Sequence, residues 1–271
     1  MMVAIIFFSA NAFCRPITAP GSTVGLPLGK PFPTGWYLIN SAGYGSIPRG
    51  ANPSTNIFFN ESGLAYVSDK EIAKGRLEFY GFFSEAFYRA GGEHAWIGNV
   101  YNPDVLAGLA WDLGHNFYFS NFVGTYFPIN TQGLSNDSFV FNERAAVTYS
   151  TSKNEATIHA IYGAPAPGQT PFKPNLPNYI NLDITYTHLF GKLQIGPIAF
   201  GSWDTNSNNP WSEFAVGGLV GYDFSGLFSL QGWLAKDTNA NHWGNFALSG
   251  FVRLLIHLDA KKDTQRSGAG M

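Results

Sequence analysis

In the stretch INLDITYT, Asn181, Asp183, Thr185 and Thr187 fall at every second position, with Ile180, Leu182, Ile184 and Tyr186 between them. Amide, carboxylate and hydroxyl groups on one side of a strand form a ladder that can bind polar solutes or backbone groups. The apolar side must turn either to a protein core or to lipid. Gln194, Gln231 and Arg253 occupy the polar or mixed side of three later alternating runs. If these seven residues line one lumen, the opposite charges of Asp183 and Arg253 set a transverse field across it that orients polar solutes. Polar groups inside a barrel must also be paired for stability alone, so the ladder by itself does not separate a solute path from packing.

Other chemistry finds little support. Nucleophilic catalysis needs Ser beside a His base on one strand face, oriented by a third polar group. None of His94, His115, His159, His188, His242 or His257 has Ser two positions away, so no catalytic residue is assigned and no enzymatic activity is expected. A barrel hydrolase stays as the weakest alternative. No His/Cys/Asp cluster has metal-ligand spacing, no Gly-x-Ser-x-Gly elbow exists, and GLPLGKP lacks the spacing of a phosphate loop. Neither a metal nor a cofactor is expected.

Composition narrows the class. Charged residues make up 13% of the 271 residues, against roughly 25% in a typical soluble domain. Aromatic residues make up 16%, and there are 31 Gly. A net charge of −2, with basic residues clustered only at the very end, argues against a nucleic-acid partner. Mean hydropathy is near neutral, and no run of about 20 apolar residues could span a bilayer as a helix. An alternating β protein averages lipid-facing apolar residues against lumen-facing polar ones and matches all of this. The single cysteine, Cys14, permits no internal disulfide.

The elements that would hold the ladder start near Gly35, Thr55, Arg76, Pro103, Asn116, Asn142, Ala156, Tyr179, Leu193, Glu213, Leu227 and Asn245. That makes about twelve strands, an even number as bacterial barrels require. The connections alternate between long and short. GSIPRGANPST, GGEHAWIGNVYNPD, PINTQGLSNDSFVFN, GAPAPGQTPFKPNLPN, WDTNSNNPWS and KDTNANHWGN are long, while SDKEIAKG, DLGHN, STSKNEA, GK and DFSG are short. Short periplasmic turns alternating with long extracellular loops characterise outer-membrane barrels. The expected fold is therefore an all-β, transmembrane, antiparallel up-and-down barrel of about 12 strands. A soluble β-sandwich is the alternative.

Several local expectations follow. Trp36, Tyr37, Trp111, Tyr118, Tyr126, Tyr222 and Trp233 lie near run ends, as interfacial girdles would. Lys74 to Gly92 breaks the pattern, because Glu85 and Arg89 land on its apolar side. A bulged strand or a helix would explain that stretch. Residues 1–12 contain the apolar run Val3 to Phe8 and the Ala10-Asn11-Ala12 cleavage pattern, and read as a signal peptide lacking a basic start. Residues 13–34 form a Pro/Gly-rich segment that could tuck into the lumen as a plug, 35–258 the barrel, and 259–271 a polar periplasmic tail.

GLPLGKPFPTGWYLINSAGYG (Gly25 to Gly45), with Gly35, Trp36 or Tyr37, and Asn40, resembles the opening of the outer-membrane barrel family named for the MetA pathway of phenol degradation. Asp104, Trp111, Gly124 and Pro128 in the region Asn102 to Asn130, and later Thr185, Tyr186, Gly217, Gly221 and Gln231, continue the similarity. After Leu258 the chain departs from the family by carrying DAKKDTQRSGAGM in place of a terminal aromatic residue. The resemblance implies an outer-membrane channel in a Gram-negative cell for passive uptake of small, aromatic or hydrophobic compounds. Its partners would be membrane lipid and lipopolysaccharide, and those solutes. A barrel that binds a partner through its long loops is the alternative in a different class.

Overall fold

The structure, a computed structural model, describes residues 16–49, 52–89, 91–129, 135, 137–167, 176–208, 210–224, 226–241 and 248–259. The proposed signal peptide and the tail beyond Asp259 lie outside the described residues. Twelve strands follow one another: β1 (Gly35–Arg49), β2 (Asn52–Ile72), β3 (Gly75–Arg89), β4 (Ile97–Gly114), β5 (Phe117–Tyr126), β6 (Val140–Ser150), β7 (Asn154–Pro165), β8 (Tyr179–Phe190), β9 (Leu193–Asp204), β10 (Ser212–Asp223), β11 (Phe228–Asn241) and β12 (Leu248–His257). Each pairs antiparallel with its sequence neighbours, and β1 pairs with β12 from Tyr37↔His257 to Ser46↔Leu248, closing the barrel. Closure leaves no sheet edge, which hydrocarbon demands because it offers backbone groups no other partner. A sandwich is excluded.

The period of two decides what each side chain faces. β6 alternates between buried positions and exposed or half-buried ones along its whole length. Large apolar residues such as Leu64, Phe79, Val105, Val123, Val147, Ile158, Val216, Val220, Leu234 and Val252 are exposed around the whole wall. In water such a surface would be untenable, whereas in a bilayer it is the lipid-facing belt.

Connections at one end are tight: 73–74, 115–116, 151–153, 191–192 and 224–227. His115 and Asn116 have φ of 54° and 67°, both positive as a type I′ hairpin turn requires. The other end carries 90–96, 127–139, 166–178, 205–211 and 242–247. The first long link is different from its expectation. Backbone pairing continues through Ile47↔Thr55 to Arg49↔Asn52, so β1 and β2 extend as a ribbon where the sequence suggested an open loop.

Lys74 to Gly92 is also resolved. β3 is a single strand with no helix, and the irregularity lies in its neighbour. Phe82 pairs with Asp104 but Ser84 pairs with Tyr101, so β4 carries an extra residue at Asn102–Pro103. Proline has no N–H to give to a ladder, so a bulge is where a strand tolerates it. On the outer side, Asn60 Nδ2 donates to Glu85 Oε2 at 3.4 Å, and the Arg89 guanidinium lies 5.2 Å from the Trp96 ring centre. The girdle expectation holds only in part. Trp36 and Tyr222 are exposed, but Tyr37, Tyr126 and Trp233 are buried. They sit on the inward parity of their strands, and position near a run end does not override parity.

Candidate functional site

The barrel interior is occupied by the chain itself. Residues 16–34 run inside the wall as a series of tight turns, with Ser22 N–H donating to Ala19 O, Val24 to Gly21, Leu26 to Thr23 and Lys30 to Pro27. A segment without sheet pairing leaves most of its backbone groups open. Inward side chains of the wall satisfy them.

Asp183 takes the largest share. Its Oδ1 accepts from Gly21 N at 2.9 Å, and its Oδ2 accepts from Thr23 N at 3.0 Å and from Thr23 Oγ1 at 2.6 Å. Thr23 Oγ1 also lies 2.7 Å from His159 Nδ1. One rung away on each side, Asn181 Nδ2 donates to Thr18 O at 2.8 Å, and Gly25 N donates to Thr185 Oγ1 at 2.9 Å. Across the lumen, Arg253 Nη1 donates to Val24 O at 2.8 Å and Nη2 donates to Ser22 O. Gln231 Nε2 reaches Gly25 O at 2.7 Å and Gln194 Oε1 at 2.9 Å, and Gln194 Nε2 donates to Thr187 Oγ1 at 3.0 Å. All seven ladder residues therefore belong to one connected network with the segment, five of them bonding to it directly. Asp183 and Arg253 grip opposite sides of the same turns, and both are engaged by the segment.

Residues outside the ladder complete the hold. Thr148 Oγ1 accepts from Gly29 N at 3.0 Å, Glu78 Oε1 from Phe32 N at 3.3 Å, and Thr18 Oγ1 shares hydrogen bonds with Tyr126 Oη at 2.8 Å and Tyr179 Oη at 3.1 Å. Tyr126 also accepts from Arg144 Nη2, which pairs with Asp104 Oδ2 at 3.0 Å. These residues carry the same parity signal as Asp183 within their own runs. What the sequence withheld was which backbone groups they would meet.

Apolar contacts seat the segment as well. Val24 is buried among Ile198, Phe200, Ala215, Leu219 and Trp233, and Ile17 among Tyr101, Tyr126, Val140 and Tyr179. Gly21 and Gly25 turn with φ of 77° and 86°, a region closed to most side chains. A Cβ on Gly25 would also collide with Leu219 Cδ1. Between segment and wall there remains a cavity of about 60 Å³, walled mainly by Leu26, Phe32, Phe82, Leu106 and Phe122, with Arg144 and Arg253 at its polar side. Among the described residues, no group of three His, Cys, Asp or Glu could hold a metal ion.

Comparison with known proteins places this geometry. Residues 39–254 match the family described as "Putative MetA-pathway of phenol degradation", and the chain belongs to that family. Among solved structures, it is similar to an outer membrane channel from Pseudomonas putida F1, with 12% identity and a TM-score of 0.72 over 86% of this chain and 99% of that one. It is also similar to the CymD monoaromatic hydrocarbon channel, with 8% identity and a TM-score of 0.50 over 84% of this chain and 89% of that one. At these identities the likeness is one of fold. No curated protein matches the sequence. The closed barrel, its apolar belt and its family place the chain in the outer membrane of a Gram-negative bacterium.

Proposed function

We propose that this barrel is an outer-membrane channel for passive uptake of small aromatic or hydrophobic compounds, held closed by residues 16–34 acting as a lumen plug. The carrying observation is the cavity beside the segment. Its volume of about 60 Å³ falls short of the about 150 Å³ that admits a benzene ring, while Leu26, Phe32, Phe82, Leu106 and Phe122 give it an apolar, aromatic side opposite a polar one with Glu61, Arg144, His159 and Arg253. The lining suits such a solute, and the room for it depends on the segment shifting. In the closed form, Asn181, Asp183, Thr185, Gln231 and Arg253 serve as plug ligands. Once the plug shifts, the same groups, with Thr187 and Gln194, become the polar side of the path, and the Asp183–Arg253 field then acts on solutes. The two channels similar in fold support this reading by their described roles.

The test is current through planar bilayers, with phenol or toluene entry into proteoliposomes measured alongside. The wild-type chain is expected to insert and conduct little. Gly25→Ala, which strains the turn and crowds Leu219, is expected to conduct steadily and to admit the aromatic solute faster. Full current from the wild type, or a silent Gly25→Ala barrel that still shows heat-modifiable migration on a gel, would sink the plug. Insertion with no current in either form would favour a binding role for the long loops.

A further inference from the structure

Residues 16–34 run through the lumen in one direction. Thr18 O accepts from Asn181 Nδ2, Asp183 accepts from the backbone N–H groups of Gly21 and Thr23, and Thr185 Oγ1 accepts from Gly25 N. The partners in these bonds stay between 160 and 163 positions apart along the chain. A nearly constant separation means that the segment tracks β8 in parallel and advances with it. β8 starts at Tyr179, after the long connection 166–178, and ends at Phe190, before the tight turn 191–192. The segment therefore passes from the long-loop end of the barrel to the short-turn end.

Contacts at its two ends agree. Thr18 Oγ1 shares hydrogen bonds with Tyr126 Oη and Tyr179 Oη, on the last residue of β5 and the first of β8. Ile17 packs in one cluster with Tyr101 and with Val140, the first residue of β6. All of these lie toward the long loops. At the other end, Lys30 Nζ donates to Ser150 Oγ at 3.3 Å, beside the 151–153 turn. Arg76 Nη1 donates to Phe32 O at 3.3 Å, beside the 73–74 turn. Thr34 O lies 3.2 Å from His257 Nε2, and the chain then enters the wall at Gly35. The short-turn end of the segment is thus joined covalently to β1. The long-loop end is held through neutral hydroxyls and apolar packing.

Outer-membrane barrels turn their short connections to the periplasm and their long loops to the exterior. We infer that the plug is threaded through the whole barrel, with Thr34 at the periplasmic mouth and Pro16 at the extracellular one, so that its outer end is reached from outside the cell. A plug that entered from the periplasm and folded back would bring both ends to the short-turn side, and the one-way run along β8 excludes it. The covalent joint at Gly35 acts as the fixed end, and Thr18 is the first of the bonded residues that a pull from the cell surface would meet. This placement stands apart from the transport reading, because it follows from chain direction and holds whether or not current passes.

The test is antibody binding to cells that make the full chain with a short peptide epitope inserted directly before Pro16. The same epitope between Gly191 and Lys192 marks the periplasmic side, and in the 205–211 loop the exterior. On intact cells the Pro16 insertion is expected to bind at least tenfold more antibody than the 191–192 insertion, and to match the loop insertion. Binding that appears only after the outer membrane is permeabilised overturns the proposal. If the tagged chain does not fold or loses its epitope, Pro16→Cys in a Cys14→Ser chain decides, treated on intact cells with a polyethylene-glycol maleimide too large for porins. Reaction there, as with Asn208→Cys in the same background and unlike Lys192→Cys, supports the threading. No reaction at position 16 while Asn208→Cys reacts overturns it.

Discussion

Strands β6 to β9 and strands β2 to β4 belong to one closed sheet but handle register differently. Between β6 and β7 the pairing runs without a slip from Val140↔Pro165 to Ser150↔Glu155, and β7 and β8 continue it from Asn154↔His188 to Gly163↔Tyr179. Inward residues there appear at every second position, and their polar members hold the plug. Between β2 and β3 the pairing slips between Val67 and Glu71, and between β3 and β4 it slips at Phe82–Ser84. The second slip changes which residues face inward. Tyr101, Asn102 and Asp104 are all buried within four positions. Asp104, next to the bulge, pairs with Arg144 on β6 at 3.0 Å. An unbroken ladder spaces polar groups evenly for a long, distributed grip. A bulge gathers them at one point.

The comparison can be broken most decisively at the ion pair. Arg144→Met leaves Asp104 buried without its cation, and removing one partner of such a pair costs about 3–5 kcal/mol. The expected outcome is a clear fall in the temperature at which the folded gel band converts to the unfolded one. The double variant Arg144→Met with Asp104→Leu should recover most of that loss. An unchanged conversion temperature in the single variant would mean that the bulge does not build a structural centre.

A smaller effect separates plug from wall. Asp183→Leu removes three hydrogen bonds to the plug, and bonds to a charged group contribute about 1.5–3 kcal/mol each before relaxation. Hydrogen exchange at Gly21 and Thr23 is expected to quicken by an order of magnitude or more, while the conversion temperature of the barrel moves little. Slow exchange at those amides in a folded Asp183→Leu barrel would show that packing around Val24 holds the plug by itself.

The smallest effect sharpens the point about distributed grip. Thr187→Val removes one neutral acceptor from Gln194, which keeps its bond from Gln231. The expected loss is about 1 kcal/mol, read as a slight fall in conversion temperature with plug exchange unchanged. A loss as large as that of Arg144→Met would place the weight of the structure in the even ladder and not in the bulge.

Legibility followed the same division. The parity of β8 was plain because Ile180 to Thr187 alternates without interruption, and a period of two is a purely local property. The twelve strands and the tight turns at one end were legible for a similar reason, since Gly, Asn and Asp punctuate the chain locally. The Lys74 to Gly92 stretch was not legible, because the bulge that accommodates it lies on β4, a different strand. Tyr37, Tyr126 and Trp233 were misread as girdle residues because nearness to a run end was weighed above parity.

By itself, then, the sequence determined a many-stranded alternating barrel with a polar inner ladder, because alternation and turn chemistry need only neighbouring residues. Only the tertiary structure decided what the ladder touches. Asp183 meets Thr23 across 160 positions of chain, and Arg253 meets Val24 across 229. Any hydroxyl or backbone amide can satisfy a carboxylate, so no local pattern names the partner. Closure of the barrel around residues 16–34 selects it.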